Sequence, residues 1–297
     1  MRILVPVDGS ENSLRSIQFL TTRTDLLGTS PEIHVFLSQV PIPKHIYMTE
    51  TAEELKAYYD NEAQGVFDAV AALLKGTAVK PIYSYTVGQA PDDIVNKANE
   101  IDADLIIMGT RGEGPVRGLL FGSVSNAVVA RANRPILILR NKLPEGTHGL
   151  RVGLAVDGSN YSQKAVDYVL GHRELFGTGT RFELINAGEA MHPVSFASMQ
   201  SMAVTTESLD ELKKFREDAY NKAVPPLVKR FKDAGLEATG VKLDGEPGPI
   251  IAEYANEQPL DLLVMGSHGY GNFRAAMLGS VAMRIASASS VPLLIIR

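Results

Sequence analysis

Short apolar runs alternate with amphipathic stretches along the chain. In the first half, the runs that predict strands are residues 3–7, 33–37, 80–87, 105–108 and 136–139. The stretches that predict helices, from helical spacing and start signals, are 13–20, 53–74, 92–101 and 123–132. Strands that alternate with helices indicate a parallel, doubly wound α/β sheet, and continuous apolar runs indicate strands covered on both faces.

This pattern occurs twice. The matching segments are 3–10 with 152–159, 104–112 with 261–269, and 135–140 with 292–297. The first match has an offset of 149 residues and the other two have 157, so the second copy carries eight extra residues. We place these within 191–208, which is rich in Met, Ser and Thr, and we read it as a disordered flap. The stretch 141–149 has a linker composition, and we predict two domains, 1–142 and 150–297.

Composition narrows the class of protein. The net charge of −5 argues against a nucleic-acid-binding surface, and the absence of cysteine excludes disulfides and thiolate chemistry. The first residues already form a predicted strand, which leaves no room for a signal peptide. No apolar run approaches the roughly 18 residues that a membrane span requires. We therefore expect a cytoplasmic protein with no membrane partner.

Each copy carries one glycine-rich loop. The first reads Gly109-x2-Gly112-x9-Gly122-Ser123, and the second repeats the spacing from Gly266 to Ser280 while the nine intervening residues differ. The first glycine ends a strand, and the last glycine opens a helix. A helix N-terminus offers unpaired N–H groups and a positive dipole end, and glycines let a backbone approach an anion closely. The loops therefore predict two phosphate sites, with a plain turn as the alternative.

The Asp-Gly-Ser strand end, the Asp-Leu-x-x-Met-Gly strand and this spacing together resemble the universal stress protein family, in its tandem, ATP-binding form. The resemblance covers essentially the whole chain. It implies two Rossmann-like domains, each a five-stranded parallel doubly wound sheet, paired about a pseudo-twofold axis through their last strands. It also implies an ATP or AMP site in each. A homodimer is a further expectation, and the sequence names no protein partner.

Carried over by position, the resemblance indicates the binding residues. In the first copy these are Pro6, Val7, Asp8, Ser38, Gly109, Arg111, Gly112, Gly122, Ser123, Val124 and Ser125. In the second copy they are Ala155, Val156, Asp157, Ala187, Gly266, His268, Gly269, Gly279, Ser280 and Val281. The family often has a second hydroxyl where the copies have Ser125 and Ala282, and usually Val where they have Ser38 and Ala187. We therefore expect the first site to bind nucleotide more tightly.

Several of these residues have two interpretations. Asp8 and Asp157 are either helix caps or contacts to the ribose or to Mg²⁺ at the phosphates. Arg111 and His268 share one slot inside the loops, where each is either a phosphate ligand or a solvated side chain. Arg117 and Arg274 correspond to each other and pose the same choice.

Two function classes follow. The first is a nucleotide-binding stress-response regulator, in which the ligand orders loops or shifts assembly. The second is a slow ATPase or phosphotransferase. Phosphoryl transfer needs cations over the γ-phosphate and a residue that positions the nucleophile. The chain has no Walker A pattern, no Lys in either loop and no catalytic constellation shared by both copies. We therefore favour binding over catalysis.

Overall fold

The computed structural model describes residues 1–22, 31–43, 51–110, 121–140, 143, 149–188, 206–269 and 278–297. The chain divides into two compact units, Met1–Thr147 and His148–Arg297. Both have the predicted α/β architecture.

The first unit is a parallel sheet in the order β3-β2-β1-β4-β5. Its strands are β1 (Arg2–Pro6), β2 (Glu32–Gln39), β3 (Ile82–Val87), β4 (Leu105–Gly109) and β5 (Ile136–Leu139). Its helices are α1 (Glu11–Thr21), α2 (Ala52–Leu74), α3 (Ala90–Glu100) and α4 (Ser123–Arg131). The strand order reverses between β1 and β4, and ligands of such sheets bind beyond the carboxyl ends of the strands at this switch.

The second unit repeats this topology as β8-β7-β6-β9-β10. Its strands are β6 (Arg151–Ala155), β7 (Arg181–Gly188), β8 (Glu237–Asp244), β9 (Leu262–Gly266) and β10 (Leu293–Ile296). Its helices are α5 (Asn160–Gly171), α6 (Thr206–Ala223), α7 (Pro225–Asp233), α8 (Pro247–Glu257) and α9 (Ser280–Ala288). The switch point lies between β6 and β9.

The cores form from the central strands. Ile3, Leu4 and Val5 of β1 are fully buried, as are Leu105, Ile106 and Ile107 of β4. The expectation that every strand is covered on both faces is wrong for the outer strand β3, in which Ile82 is 49% exposed. An edge strand has a neighbour on one side only, so its apolar residues are less completely enclosed.

Two helical features differ from the prediction. Helix α1 begins at Glu11 because Ser10 caps it, accepting a hydrogen bond from the backbone of Ser13. The single long helix α2 of the first unit corresponds to two helices, α6 and α7, in the second. Proline at the first positions of α7 lacks a backbone donor and clashes with a preceding turn, which ends α6. None of the described helices is long and apolar enough to cross a bilayer.

Candidate nucleotide site

A cavity of about 360 Å³ lies at the carboxyl ends of β6 and β9 in the second unit. All ten residues predicted for this copy line it: Ala155, Val156, Asp157, Ala187, Gly266, His268, Gly269, Gly279, Ser280 and Val281. The doubly wound topology brings them together because parallel strands end at the same edge of the sheet. Occupancy by a nucleotide stays a prediction.

Sequence reasoning missed five lining residues: Ser162, Pro247, Ile251, Met265 and Ile285. Ala282, which the sequence marked only as lacking the family's second hydroxyl, also lines the cavity. Pro247 and Ile251 lie one turn apart at the start of α8, directly after the edge strand β8. The sequence itself shows a proline that favours a helix start at Pro247, followed four positions later by the apolar Ile251. Only the strand order, however, places the start of α8 beside the end of β7.

The start of α9 forms part of the cavity lining. Its N-cap is Gly279, which makes no side-chain capping hydrogen bond, and the backbone N–H of Gly279 donates to the Ser267 carbonyl at 2.8 Å. In contrast, Ser159 caps α5 by accepting from the backbone of Ser162. The first-turn amides of α9, which begins at Ser280, therefore lack a side-chain acceptor among the described residues. In the first unit α4 begins in the same way, with Gly122 as an uncapped N-cap.

The loop glycines have packing roles in addition to the predicted one. A Cβ on Gly109 would overlap the backbone carbonyl of Asn12, and one on Gly266 would lie 2.8 Å from the Cβ of Tyr161. Both glycines therefore let the end of the fourth strand of each unit meet the first turn of that unit's first helix, α1 or α5. The close approach of an anion to these glycines stays a prediction.

The last glycines of the two loops also differ from each other. Gly122 has φ +104°, a conformation that glycine adopts readily and other residues do not. Gly279 has an ordinary φ of −60°, but a Cβ there would lie 3.2 Å from the Cα of His268. A Cβ on Gly269 would lie 2.7 Å from Oδ2 of Asp157. The same spacing thus meets a conformational demand in one unit and a packing demand in the other.

The aspartates after the first strands support the helix caps without forming them. Oδ1 of Asp157 accepts from the backbone of Ser159 at 2.8 Å. Oδ1 of Asp8 accepts from the backbone of Ser10 at 3.0 Å and from its hydroxyl at 2.6 Å. Burial raises the pKa of Asp8, but the hydrogen bonds from Ser10 and Ser13 outweigh it and leave the pKa below its usual value. Asp8 is therefore ionised at neutral pH.

His268 lies at the cavity wall with its ring fixed from two sides. Its Nδ1 lies 3.1 Å from the hydroxyl of the buried Ser267, and its ring packs against Tyr161 with centroids 5.2 Å apart. These contacts restrain the imidazole at the edge of the cavity, where its second nitrogen can serve as one hydrogen-bond partner.

A polar network holds the opposite end of the cavity. The side chain of Asn186 donates to the Val156 carbonyl at 2.7 Å. Arg216, on α6, donates to Oδ1 of Asn186 at 2.6 Å and to the carbonyls of Asn186 and Leu243, each at 3.0 Å. One guanidinium thereby ties the ends of β6, β7 and β8 together. Val156, which accepts from this network, and Ala187, which follows Asn186, both line the cavity.

The first unit places its predicted residues at the same edge. Pro6 ends β1, Val7 is buried and donates its N–H to the Phe36 carbonyl, and Asp8 follows. Ser123 is exposed at the start of α4, while Val124 is half-buried and Ser125 is buried within its first turn. Arg111, Gly112, Arg117 and Arg274 lie outside the described residues, as does most of 191–208.

Ser38, the counterpart of Ala187, has a partner that the second unit lacks. Its hydroxyl donates to Oδ2 of Asp93 at 2.6 Å, and Asp93 lies in the first turns of α3. At the offset of 157 residues, Ile250 stands where Asp93 does. The Ser38 hydroxyl of the first unit therefore has an ionic partner, whereas the two equivalent positions in the second unit are apolar.

Comparison with known proteins follows the same division into two copies. A model described as the universal stress protein family matches residues 1–140 and 150–297. The universal stress protein Rv1996 of Mycobacterium tuberculosis is 25% identical over 257 residues, which cover 86% of this chain and 76% of that protein. A universal stress protein of Mycolicibacterium smegmatis is 23% identical over 304 residues, covering 99% and 96%.

A solved structure shows the same fold. The crystal structure of a universal stress protein from Archaeoglobus fulgidus DSM 4304 matches with a TM-score of 0.69 and 22% identity. The match covers 100% of this chain and 98% of that one.

Proposed function

The chain belongs to the universal stress protein family, and from that premise we propose that it is a regulatory protein whose second unit binds an adenine nucleotide, ATP or AMP. One observation carries the proposal. A single cavity joins an apolar wall at one end to an uncapped helix N-terminus at the other. A nucleotide has the same polarity, with a flat base at one end and phosphates at the other.

The phosphate end is suited to an anion without any basic side chain. The described lining residues include no Lys or Arg, so the attraction comes from the amides and the dipole of α9. Small residues, Gly279 and Ser280, let the phosphates approach these amides. This arrangement supports binding that is independent of the chain's negative net charge.

The base end is suited to adenine. Val156, Ala187, Pro247 and Ile251 contribute apolar surface to the lining, and the cavity volume of about 360 Å³ is within the range of small-molecule sites. Ala187 fits this wall without leaving a polar group unpaired. We therefore propose the second unit as the better adenine site, whereas the residue types favour the first.

The described lining residues could hold Mg²⁺ only if nucleotide phosphates supplied further ligands. Asp157 is the one carboxylate among the described lining residues, and its Oδ1 already accepts from Ser159. Within the described part of the chain, no three His, Cys, Asp or Glu side chains form a metal-binding group. A bound Mg²⁺ would take Asp157 Oδ2 as one ligand and would neutralise the repulsion between this carboxylate and the phosphates.

The same lining residues favour binding over phosphoryl transfer. His268 is the only imidazole among them, and no Lys or Arg is present in this described set to stabilise a transferring phosphoryl group. Slow hydrolysis stays the alternative because His268 faces the phosphate end. We propose that occupancy acts on assembly or partner choice, which light scattering with and without ATP measures directly.

Calorimetric titration of the whole chain with ATP, ADP and AMP, with and without Mg²⁺, tests the proposal. Gly279→Val places a branched side chain against the backbone of His268 and should weaken ATP binding by about tenfold or more. Gly122→Val is the matched change in the first unit. Circular dichroism of both variants checks that each remains folded.

Two results would decide against the proposal. Wild-type chain that binds none of the three nucleotides at about 1 mM, an affinity of about 4 kcal/mol, has no such site. If Gly122→Val loses the tightest nucleotide-binding site and Gly279→Val keeps it, the nucleotide binds to the first unit and not to the second. Steady ADP production well above that of Gly279→Val would instead favour the ATPase.

A further inference from the structure

The described lining of the second-unit cavity contains one acidic side chain, Asp157, and one imidazole, His268. The structure shows no hydrogen bond or ion pair between these two described residues. A carboxylate ordinarily keeps its charge between about pH 6 and 8, whereas histidine ordinarily gains or loses a proton in this range. The charge of this lining therefore changes near neutral pH through His268.

The half-buried ring of His268 has one engaged nitrogen and one open nitrogen. Nδ1 lies 3.1 Å from the hydroxyl of Ser267. A Cβ built on Gly279 would lie 3.7 Å from Cδ2 of His268, the ring carbon bonded to Nε2. This edge of the ring therefore lies beside the N-cap of α9. No hydrogen bond among the described residues engages Nε2, which leaves this nitrogen for a ligand in the cavity.

The hydroxyl of Ser267 suits both protonation states of the imidazole. It donates to Nδ1 when that nitrogen is unprotonated, and it accepts from Nδ1 when that nitrogen carries a proton. The ring can therefore gain a proton without losing its partner in the protein. Both nitrogens of the charged ring are donors, so Nε2 then offers an anion a charge-assisted hydrogen bond.

The other charged groups around His268 belong to types that keep their charge near neutral pH. Tyr161 of α5 packs against the imidazole, and Nζ of Lys164 lies 5.2 Å from the centroid of the Tyr161 ring. Arg297, directly after β10, interacts electrostatically with Tyr161. The first turn of α9 carries no charged side chain. Since lysine and arginine ordinarily titrate above about pH 10, His268 is the group that responds between pH 6 and 8.

We propose that nucleotide binding by the second unit is coupled to protonation of His268, which donates from Nε2 to a phosphate at the start of α9. A phosphate favours the charged imidazole, so the bound state holds more protons than the free state and the affinity rises as the pH falls. The first unit has Arg111 at the equivalent position, and arginine keeps its charge. This inference rests on the proposed function, because it concerns the regulation of the same site.

Calorimetric titration of the full chain with ATP, without Mg²⁺, at about pH 8 and pH 6 tests the coupling. The wild type should bind ATP about tenfold more tightly at the lower pH. His268→Gln is the matched control, because it cannot gain a charge while the titration of ATP itself is unchanged, and it should lose this increase. His268→Arg carries a fixed charge and should bind ATP at pH 8 about as tightly as the wild type does at pH 6.

A second measurement counts the protons directly. Titrations at one pH in two buffers of different ionisation enthalpy should show that the wild type takes up more protons per bound ATP than His268→Gln, by up to about one. Circular dichroism checks that both variants remain folded. Any binding by the first unit is common to the three proteins and does not affect their comparison.

The outcomes separate this inference from the proposed function. Equal responses of the wild type and His268→Gln to pH would overturn the inference, as would equal proton uptake by the two or a wild-type pH response in His268→Arg. In each of these cases ATP binding that is lost in Gly279→Val still supports the proposed function. A wild-type chain that binds no ATP at either pH overturns both.

Discussion

Substitution of Gly109 by alanine tests the reason that the structure gives for this glycine. The added Cβ would overlap the backbone carbonyl of Asn12, in the first turn of α1. A backbone atom cannot move aside by rotating a side chain, so α1 must shift away from β4. Gly266→Ala applies the same test to the second unit, where the Cβ would lie 2.8 Å from Tyr161.

The cost follows from what α1 buries. Ile17 and Leu20 have no exposed surface, and Phe19 is 2% exposed. Complete burial of such a side chain contributes roughly 1.5–3 kcal/mol, and forced overpacking of a core typically costs about 1–3 kcal/mol. A helix shift that loosens these three contacts partially therefore lowers the free energy of unfolding of the first unit by about 3 kcal/mol.

Hydrogen exchange followed by mass spectrometry suits this measurement because it reports each unit separately. The chain has no tryptophan for a fluorescence probe, and a chain of two units need not unfold in one step. Gly65→Ala is the matched control, since Gly65 lies exposed within α2 and a Cβ there meets nothing within 4 Å. That change should stabilise the unit by roughly 0.5–1 kcal/mol. Wild-type exchange in β1 and β4 of Gly109→Ala would refute the reasoning.

Three further predictions concern single side chains. Arg216→Leu should lower the free energy of unfolding of the second unit by about 2–3 kcal/mol and weaken ATP binding. The change leaves the Asn186 amide oxygen and the strand-end carbonyls without their donor. Hydrogen exchange measures the loss of stability, and calorimetry measures the loss of binding. Tyr254 donates to Glu183, and burial together with this carboxylate raises its pKa to about 12. The tyrosine's contribution to stability is therefore complete below pH about 10, is lost as the pH rises towards 12, and should be absent from the pH dependence of Tyr254→Phe. Asp8 has a lowered pKa, so its contribution is present above pH about 4 and is lost as the pH falls further, and Asp8→Asn should flatten acid unfolding in this range.

Each of these has a control or a contrary outcome. Phe215→Ala changes an exposed neighbour of Arg216, 74% exposed, and should alter stability by less than about 0.5 kcal/mol. Equal effects of the two changes would contradict the network. An alkaline stability curve of Tyr254→Phe that superimposes on the wild-type curve would contradict the role of the Tyr254 hydroxyl. An acid-unfolding curve of Asp8→Asn that matches the wild-type curve would contradict the role of the Asp8 carboxylate.

The sequence predicted the strand-end and loop residues that line the second-unit cavity, but it did not predict Pro247 and Ile251. Asp157, Gly266 and Ser280 follow strand ends or open a helix, and the order of elements along the chain is enough to bring such residues to one edge. Pro247 and Ile251 reach the same cavity only because β8 is the outer neighbour of β7. That strand order arises from sheet packing, which no local pattern encodes.

The sequence by itself determined that one α/β unit occurs twice, that its central strands are buried, and that glycine-rich loops follow the fourth strands. These properties depend on local hydrophobic patterning and on spacing along the chain. Only the tertiary structure decided that position 109 has no room for a Cβ beside the Asn12 carbonyl. It also decided that Ser38 is hydrogen-bonded to Asp93, which lies 55 residues away along the chain. The physical reason is that a steric overlap or a hydrogen bond depends on distances of a few ångströms between elements that the sheet brings together.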